Sequence, residues 1–200
     1  MMIRLSCMAI ILSIVFVSTI FAQTQSVQES NTQQTTSEST KVYKIGDKGP
    51  AGGLIFYDKG SYSDGWRFLE AAPVKSEFSA PWGLEGIDVK GTDTGIGSGK
   101  NNTLLIVKAA VELKQSGTAA QRCVDLNIGG QKDWFLPSRD EAMAMSQNLT
   151  GVKGAAFTNR RYWSSSQDVN DFVVSLMLDR GTYGSFIKTP SYLVRAVRAF

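Results

Sequence analysis

The sequence predicts an α+β domain built on antiparallel sheet, and three observations predict it. Strand-like alternation opens residues 41–200, as Leu54 and Phe56 against Ile55 and Tyr57. Strand-like alternation also closes them, from Tyr162 to the C-terminus. Helical periods lie between, grouped rather than interleaved with strands.

Residues 1–22 hold one positive charge, Arg4, then a nearly unbroken apolar run from Leu5 to Phe21 and the small residue Ala22. This is the pattern of a secretory signal peptide. A membrane anchor is the rival reading, with a run at the short limit for a spanning helix. Cys7 lies inside the apolar run, which argues against a lipid-modified cysteine at a mature N-terminus. Residues 23–40 are rich in Gln, Ser and Thr, with Val27 as the one apolar residue. Such a segment buries too little to offset its ordering entropy and reads as a flexible linker. Residues 41–200 then form the folded domain, long enough to bury roughly 70% of its unfolded surface without a staple.

Charge and cysteine usage exclude several classes. Leaving out Arg4, Glu29 and Glu38 from the 21 basic and 18 acidic residues gives 20 and 16, a net charge of +4. A mildly basic balance suits an anionic partner. Arg160-Arg161 is the one adjacent basic pair, so nothing points to nucleic acid. No histidine occurs. That removes Ser-His-Asp and Cys-His nucleophiles and the common zinc sites. Cys123 shares a helical face with Ala119, Ala120 and Val124 and reads as a small buried residue rather than a reactive thiol. The stretch Gly95–Thr103 fails the P-loop and dinucleotide patterns, because Thr94, Lys100 and Asn101 stand where those need Gly, Gly and Ser/Thr. Asp168 to Asp171 fails the calcium-loop pattern at Phe172 and Val173 and reads as a turn. No cofactor and no metal is expected.

In order, the elements are these. Two strands, around Leu54–Tyr57 and Trp66–Leu69, make a hairpin across a loop of Gly, Ser and Asp. Ser76–Lys100 carries little periodicity and reads as a long loop with a functional edge. A helix is expected over about Thr103–Gln115, capped by Asn101 or Asn102, with Leu104, Val107 and Val111 along one face and Ile106, Ala110 and Leu113 beside it. Thr118 caps a shorter helix ending near Leu126. Trp134-Phe135-Leu136 suits a short buried strand stopped by Pro137. Ser138-Arg139-Asp140-Glu141 is a capping box that opens another helix. Strands follow at Tyr162–Ser166 and Phe172–Asp179, then a turn at Arg180–Gly184 and a strand through Lys188. On a regular final strand Arg195 and Arg198 point to opposite faces. A buried guanidinium there needs a carboxylate, with Asp133, Asp140 and Glu141 as candidates.

Five phrases carry a family resemblance: A-G-G-L-I-F-Y, G-W-R-F-L-E-A-A-P, G-G-Q-K-D-W-F-L-P-S-R-D-E, Y-W-S-S-S and V-R-A-V-R-A-F. In this order they resemble the bacterial domain named after the C-terminal part of the Legionella collagen-like adhesin. They are similar too to the Fibrobacter major paralogous domain. The signature residues are Asp133, Trp134, Pro137, Ser138, Glu141, Trp163, Arg195 and Arg198. The resemblance implies a C-type-lectin-like fold over residues 41–200, with antiparallel sheets, two or three flanking helices and long loops. It implies export and adhesion to sulfated polysaccharide. The E-P-N, Q-P-D and W-N-D motifs of calcium-dependent lectins are absent, as is the cysteine pair of the related formylglycine-generating enzymes.

The expected function is an exported, non-enzymatic binding domain for an anionic glycan or another envelope or host polymer. Location is periplasmic, cell-surface or secreted, with no stable membrane span once the signal is cleaved. Candidate contacts are Arg160, Arg161, Arg180, Tyr183, Lys188 and Tyr192, each weighed against ordinary surface. The alternatives are a carboxylate or metal enzyme distantly related to the formylglycine-generating enzymes, and a structural cell-envelope protein.

Overall fold

The computed structural model describes residues 41–200. The expected signal peptide and linker lie outside the described residues. Among the described residues the architecture is α+β, with two sheets and three α-helices. Strands β1 (Leu54–Ser63), β2 (Trp66–Ala71) and β8 (Val197–Ala199) form one sheet, in the order β1-β2-β8. Strands β3 (Phe78–Pro81), β4 (Arg161–Gln167), β5 (Phe172–Met177), β6 (Thr182–Ile187) and β7 (Ser191–Val194) form the other, in the order β3-β7-β4-β5-β6. All pairings are antiparallel except β4 with β7. The helices are α1 (Gly99–Glu112), α2 (Ala119–Val124) and α3 (Arg139–Leu149). Among the described residues no helix is long and apolar enough to cross a membrane.

The first hairpin closes at Asp64 and Gly65, both at positive φ (52° and 83°). Two successive left-handed residues match the twist of the flanking strands, which is why an Asp-Gly pair sits there. The capping box of α3 forms as its spacing predicts: Ser138 Oγ accepts the Glu141 N–H, and Glu141 Oε2 accepts the Ser138 N–H at 2.8 Å. Thr118 builds the same device with Gln121 at the start of α2.

The five-stranded sheet separates two apolar clusters. On one face Trp163, Val173 and Val194 pack with Ile106 and Ala110 of α1, Ala119, Ala120 and Cys123 of α2, and Trp82 and Trp134. On the other, Tyr162, Leu176 and Leu193 pack with Ala142, Met145 and Leu149 of α3 and with Phe56 and Leu69 of the smaller sheet. Three of these indoles would leave a costly orphan donor in a dry core. Each finds a carbonyl: Trp82 donates to Ser164, Trp134 to Gln131 and Trp163 to Ala80.

Four expectations need correction. Ser76–Lys100 is not one loop: it contains β3 and buries Trp82, Leu84 and Val89. Helix α1 starts at Gly99, and its buried side is Asn102, Thr103, Ile106 and Ala110, while Leu104 and Val111 are exposed. The polar pair is buried because it is satisfied. Asn102 accepts the Asp93 N–H and donates to the Asp93 carbonyl, and Thr103 Oγ1 accepts the Leu136 N–H. Trp134–Leu136 is an extended segment bridged to β8 only through Phe135 and Val197, not a strand. Pro137 follows it, and the Pro137 carbonyl accepts the Ser165 N–H of β4. The final strand is likewise broken: β7 ends at Val194 and β8 starts at Val197, so the chain changes sheets at Arg195 and Ala196.

Both arginines at this crossing are buried and paired. Arg198 grips Asp133 with two nitrogens (2.8 and 3.0 Å) and reaches Glu70 at 3.3 Å. Glu70 also accepts the N–H groups of Ala51 and Gly53. Gly49 and Gly53 are glycines because a Cβ at either would strike Glu70 or Ala71. Arg195 pairs with Glu77 at 2.8 Å. Asp133 is thus a partner as the charge argument expects, whereas Asp140 and Glu141 are not, and Glu77 was hidden in the stretch read as loop. Removing one member of a buried pair leaves the other uncompensated, at a cost of about 3–5 kcal/mol. Thermal and urea melts of Arg195→Ala and Arg198→Ala should each show a loss of that order, and two negligible losses would contradict this account.

Candidate functional site

The scaffold pairs some of its arginines with carboxylates and leaves others without an ion pair. Arg67, Arg139, Arg180, Arg195 and Arg198 each sit within 4.0 Å of a carboxylate. Among the described residues, Arg122, Arg160 and Arg161 have no ion pair at that range. They are anchored by other means. Arg122, in the last turn of α2, lies over the Phe78 ring at 4.1 Å and donates to the Ser79 carbonyl. Arg160 reaches the Ser79 hydroxyl at 3.5 Å. Arg161, at the start of β4, lies over the Phe186 ring at 3.6 Å.

The rings beneath are ordered. Tyr192 stacks on buried Trp163 with centroids 4.4 Å apart and meets Phe186 edge-on at 6.3 Å. Phe78, Phe186 and Tyr192 are half-buried on the Trp163 face of the sheet. Cross-strand register explains the space they occupy. Trp163 lies opposite Ser175, and Ser175 opposite Gly184. These two small residues leave a trough beside the indole. A Cβ on Gly184 would come within 3.1 Å of the Phe186 ring, so glycine lets that ring lie flat toward Arg161. A guanidinium held over an aromatic face loses little freedom on binding an anion and offers paired N–H donors to sulfate or carboxylate.

The six sequence candidates divide. Arg161 and Tyr192 belong to this face, whereas Arg160 reaches Ser79, which lies opposite Leu193 and so on the other face of the sheet. Tyr183 belongs to the other face, where Arg139 of α3 lies over its ring at 5.4 Å. Arg180 sits in the β5–β6 turn, held by Asp179 and Asn159. Lys188 is no surface contact. It is buried, with Nζ donating to the Leu84 and Ile87 carbonyls and to Gln167 at 3.2 Å, and burial pulls its pKa down. A lysine at a strand end looks exposed in sequence; only the fold shows that the Leu84–Ile87 loop wraps over it. Sequence reasoning missed Arg122, Phe78 and Phe186. Their one legible signal was a basic residue in a last helical turn.

A second feature is a cleft of about 410 Å³ lined by Asp64, Trp66, Gly97, Lys100, Asn101 and Glu141. Glu141 is fully buried, and among the described residues no cation lies within 4.0 Å of it. Its oxygens accept the N–H groups of Gly97 (2.9 Å), Gly99 (3.4 Å) and Ser138. It therefore staples the start of α1 to the start of α3. Burial pushes its carboxyl up to about 7, against the downward pull of those N–H donors. The Cys123 thiol is fully buried and also pushed up, which makes it inert. Among the described residues no three carboxylate or cysteine groups converge as a metal site would require.

No protein-family model matches the chain, and no curated protein matches it. Among solved structures it is similar to a fimbrial protein from Bacteroides ovatus, at a TM-score of 0.52 and 12% identity over 80% of this chain. The match spans 46% of the fimbrial chain, so this chain corresponds to less than half of that protein. The likeness is one of fold.

Glu141 generates a pH prediction. Its folded pKa lies above the unfolded carboxylate value of 4.5, so the stability it confers is fully present below pH 4.5. That stability is lost as pH rises through about 7. The expected change is on the order of 3 kcal/mol. Urea denaturation of Glu141→Gln across this range should show a flatter pH profile than the parent chain. An unchanged profile would rule out Glu141 as its source.

Proposed function

We propose that this chain is an exported, non-enzymatic binding module for a polyanionic surface polymer, a sulfated or otherwise acidic glycan. The observation that carries the reading is the face where Arg122 and Arg161 stand, with no carboxylate of the described residues within 4.0 Å, beside half-buried Phe78, Phe186 and Tyr192. Arginines supply the anion contacts, and ring faces suit the C–H faces of sugar rings. Stacking pre-orders the guanidinium groups, which lowers the entropy cost of binding.

A C-type-lectin-like arrangement and membership of the Legionella adhesin-like family are part of this proposal. The pairing of β2 with β8, near the two ends of the domain, supports it. An adhesive or envelope role at the cell surface draws support from the fimbrial fold neighbour. An enzyme working through carboxylates would draw on Glu141, but both of its oxygens are already engaged by backbone N–H groups, which favours a scaffold role.

Binding to an immobilised sulfated oligosaccharide tests the proposal. At about 20 mM salt the chain should bind, and binding should weaken steeply as salt is raised toward 0.5 M. Each of Arg122→Ala and Arg161→Ala should lower affinity roughly 2–5-fold, with the double variant about 10-fold weaker. Arg180→Ala should match the parent. Failure to bind any acidic polymer at low salt, or an unaffected double variant, would overturn the assignment.

A further inference from the structure

The cleft beside the start of α1 takes no part in the arginine face. It opens where the β1–β2 turn meets α1, and its volume of about 410 Å³ is within the range of small-molecule sites. The floor is apolar, formed by buried Leu69 and Phe135. The rim carries Asp64, Trp66, Gly97, Lys100 and Asn101.

The open polar groups of that rim are donors. Trp66 is partly exposed, whereas Trp82, Trp134 and Trp163 are buried and donate to carbonyls. Lys59 lies over the Trp66 ring at 4.0 Å, and a Cβ on Gly97 would come within 3.2 Å of Cζ2 and 3.9 Å of Cε2. The indole edge that carries Nε1 therefore rests at Gly97, and among the described residues its N–H has no acceptor. The Lys100 and Asn101 side chains are exposed beside it, with no ion pair or hydrogen bond among the described residues. Ser98 adds to the surplus of donors, since its hydroxyl donates to the Gly95 and Asp93 carbonyls instead of capping α1. The two acids of the cleft are already engaged: Asp64 with Lys59 at 3.5 Å, and Glu141 with the N–H groups of Gly97, Gly99 and Ser138. With its carboxyl pushed up to about 7, Glu141 sets no negative charge under the cleft in mildly acidic solution.

We infer that this cleft is a second binding site, for the carboxylate of a uronic acid residue. The inference shares the acidic-glycan reading of the chain but none of the arginine-face residues. The Trp66 indole N–H, the Lys100 ammonium and the Asn101 amide sit on one rim and supply three donors to one carboxylate. Hydrogen bonds to an ionised acceptor are roughly twice as strong as neutral ones. The apolar floor suits the C–H face of the sugar ring, and Asn101 Oδ1 is free to accept one of its hydroxyls. Among the described residues no arginine lines the cleft, so it lacks the planar fork of donors that marks the other face.

Tryptophan fluorescence of the purified full chain tests this, because Trp66 is the tryptophan that a ligand in the cleft can reach. Titration with glucuronate at about pH 6, below the Glu141 pKa of about 7, should give a saturable change. The expected Kd is about 1–10 mM, the range of a ligand with so few atoms. Lys100→Ala and Asn101→Ala should each weaken binding about 3-fold. Lys108→Ala, farther along α1, should match the parent. The Arg122→Ala/Arg161→Ala double variant should bind glucuronate as the parent does. Glucose and a sulfated glucose should bind at least about 5-fold more weakly. No saturable change up to about 50 mM glucuronate overturns the inference. So does equal binding of glucose or sulfated glucose, indifference to both cleft variants, or loss of glucuronate binding in the arginine double variant. The polymer assay on the arginine variants reads the other face, so either assignment can fail while the other stands.

Discussion

The ion network of Arg198, Glu70 and Asp133 is the constraint on which the rest of the structure depends. It joins three segments distant in sequence: β2, the approach to α3, and β8. Three residues upstream, Arg195 ties the sheet crossing to Glu77, just ahead of β3. Together the two arginines hold both sheets to the two-residue step between β7 and β8. Buried pairs of this kind add little net stability over apolar packing, but once present they are costly to break. Their value here is register. Glu70 also accepts two N–H groups from the Ala51–Gly53 turn, so the position of the first hairpin and that of the last strand are fixed by one carboxylate.

Glu141 plays a parallel part without a cation. It gathers N–H groups from the starts of α1 and α3, and the Asp93–Asn102 contacts extend that junction toward β4. With the helices so placed, the last turn of α2 brings Arg122 over Phe78. The binding face is a consequence of this arrangement. The scaffold neutralises five of the described arginines with carboxylates and leaves three standing over aromatic rings or a serine.

What was legible in the sequence was local. The Ser138–Glu141 box, the Thr118 cap and the strand alternation around Phe172 each lie within a few residues, where spacing alone carries the physics. The burial of Asn102, Thr103 and Lys188 was not legible, because polar residues enter a core only when distant groups satisfy them. Lys188 finds its carbonyls about a hundred residues away, and Glu77 lies 118 residues from Arg195. The same reason hid half of the candidate site. Arg160 and Arg161 stand out as an adjacent basic pair, whereas Arg122 and Phe186 acquire meaning only once α2 and β6 are set against the sheet.

The arginines are thus sorted into a structural set and a proposed binding set. Arginine side-chain NMR during titration with a sulfated oligosaccharide reads that sorting directly. The Nε–H signals of Arg122 and Arg161 should shift together and saturate, while those of Arg195 and Arg198 stay still. Shifts spread evenly over all the arginines, or confined to the Trp66–Lys100 cleft, would contradict it.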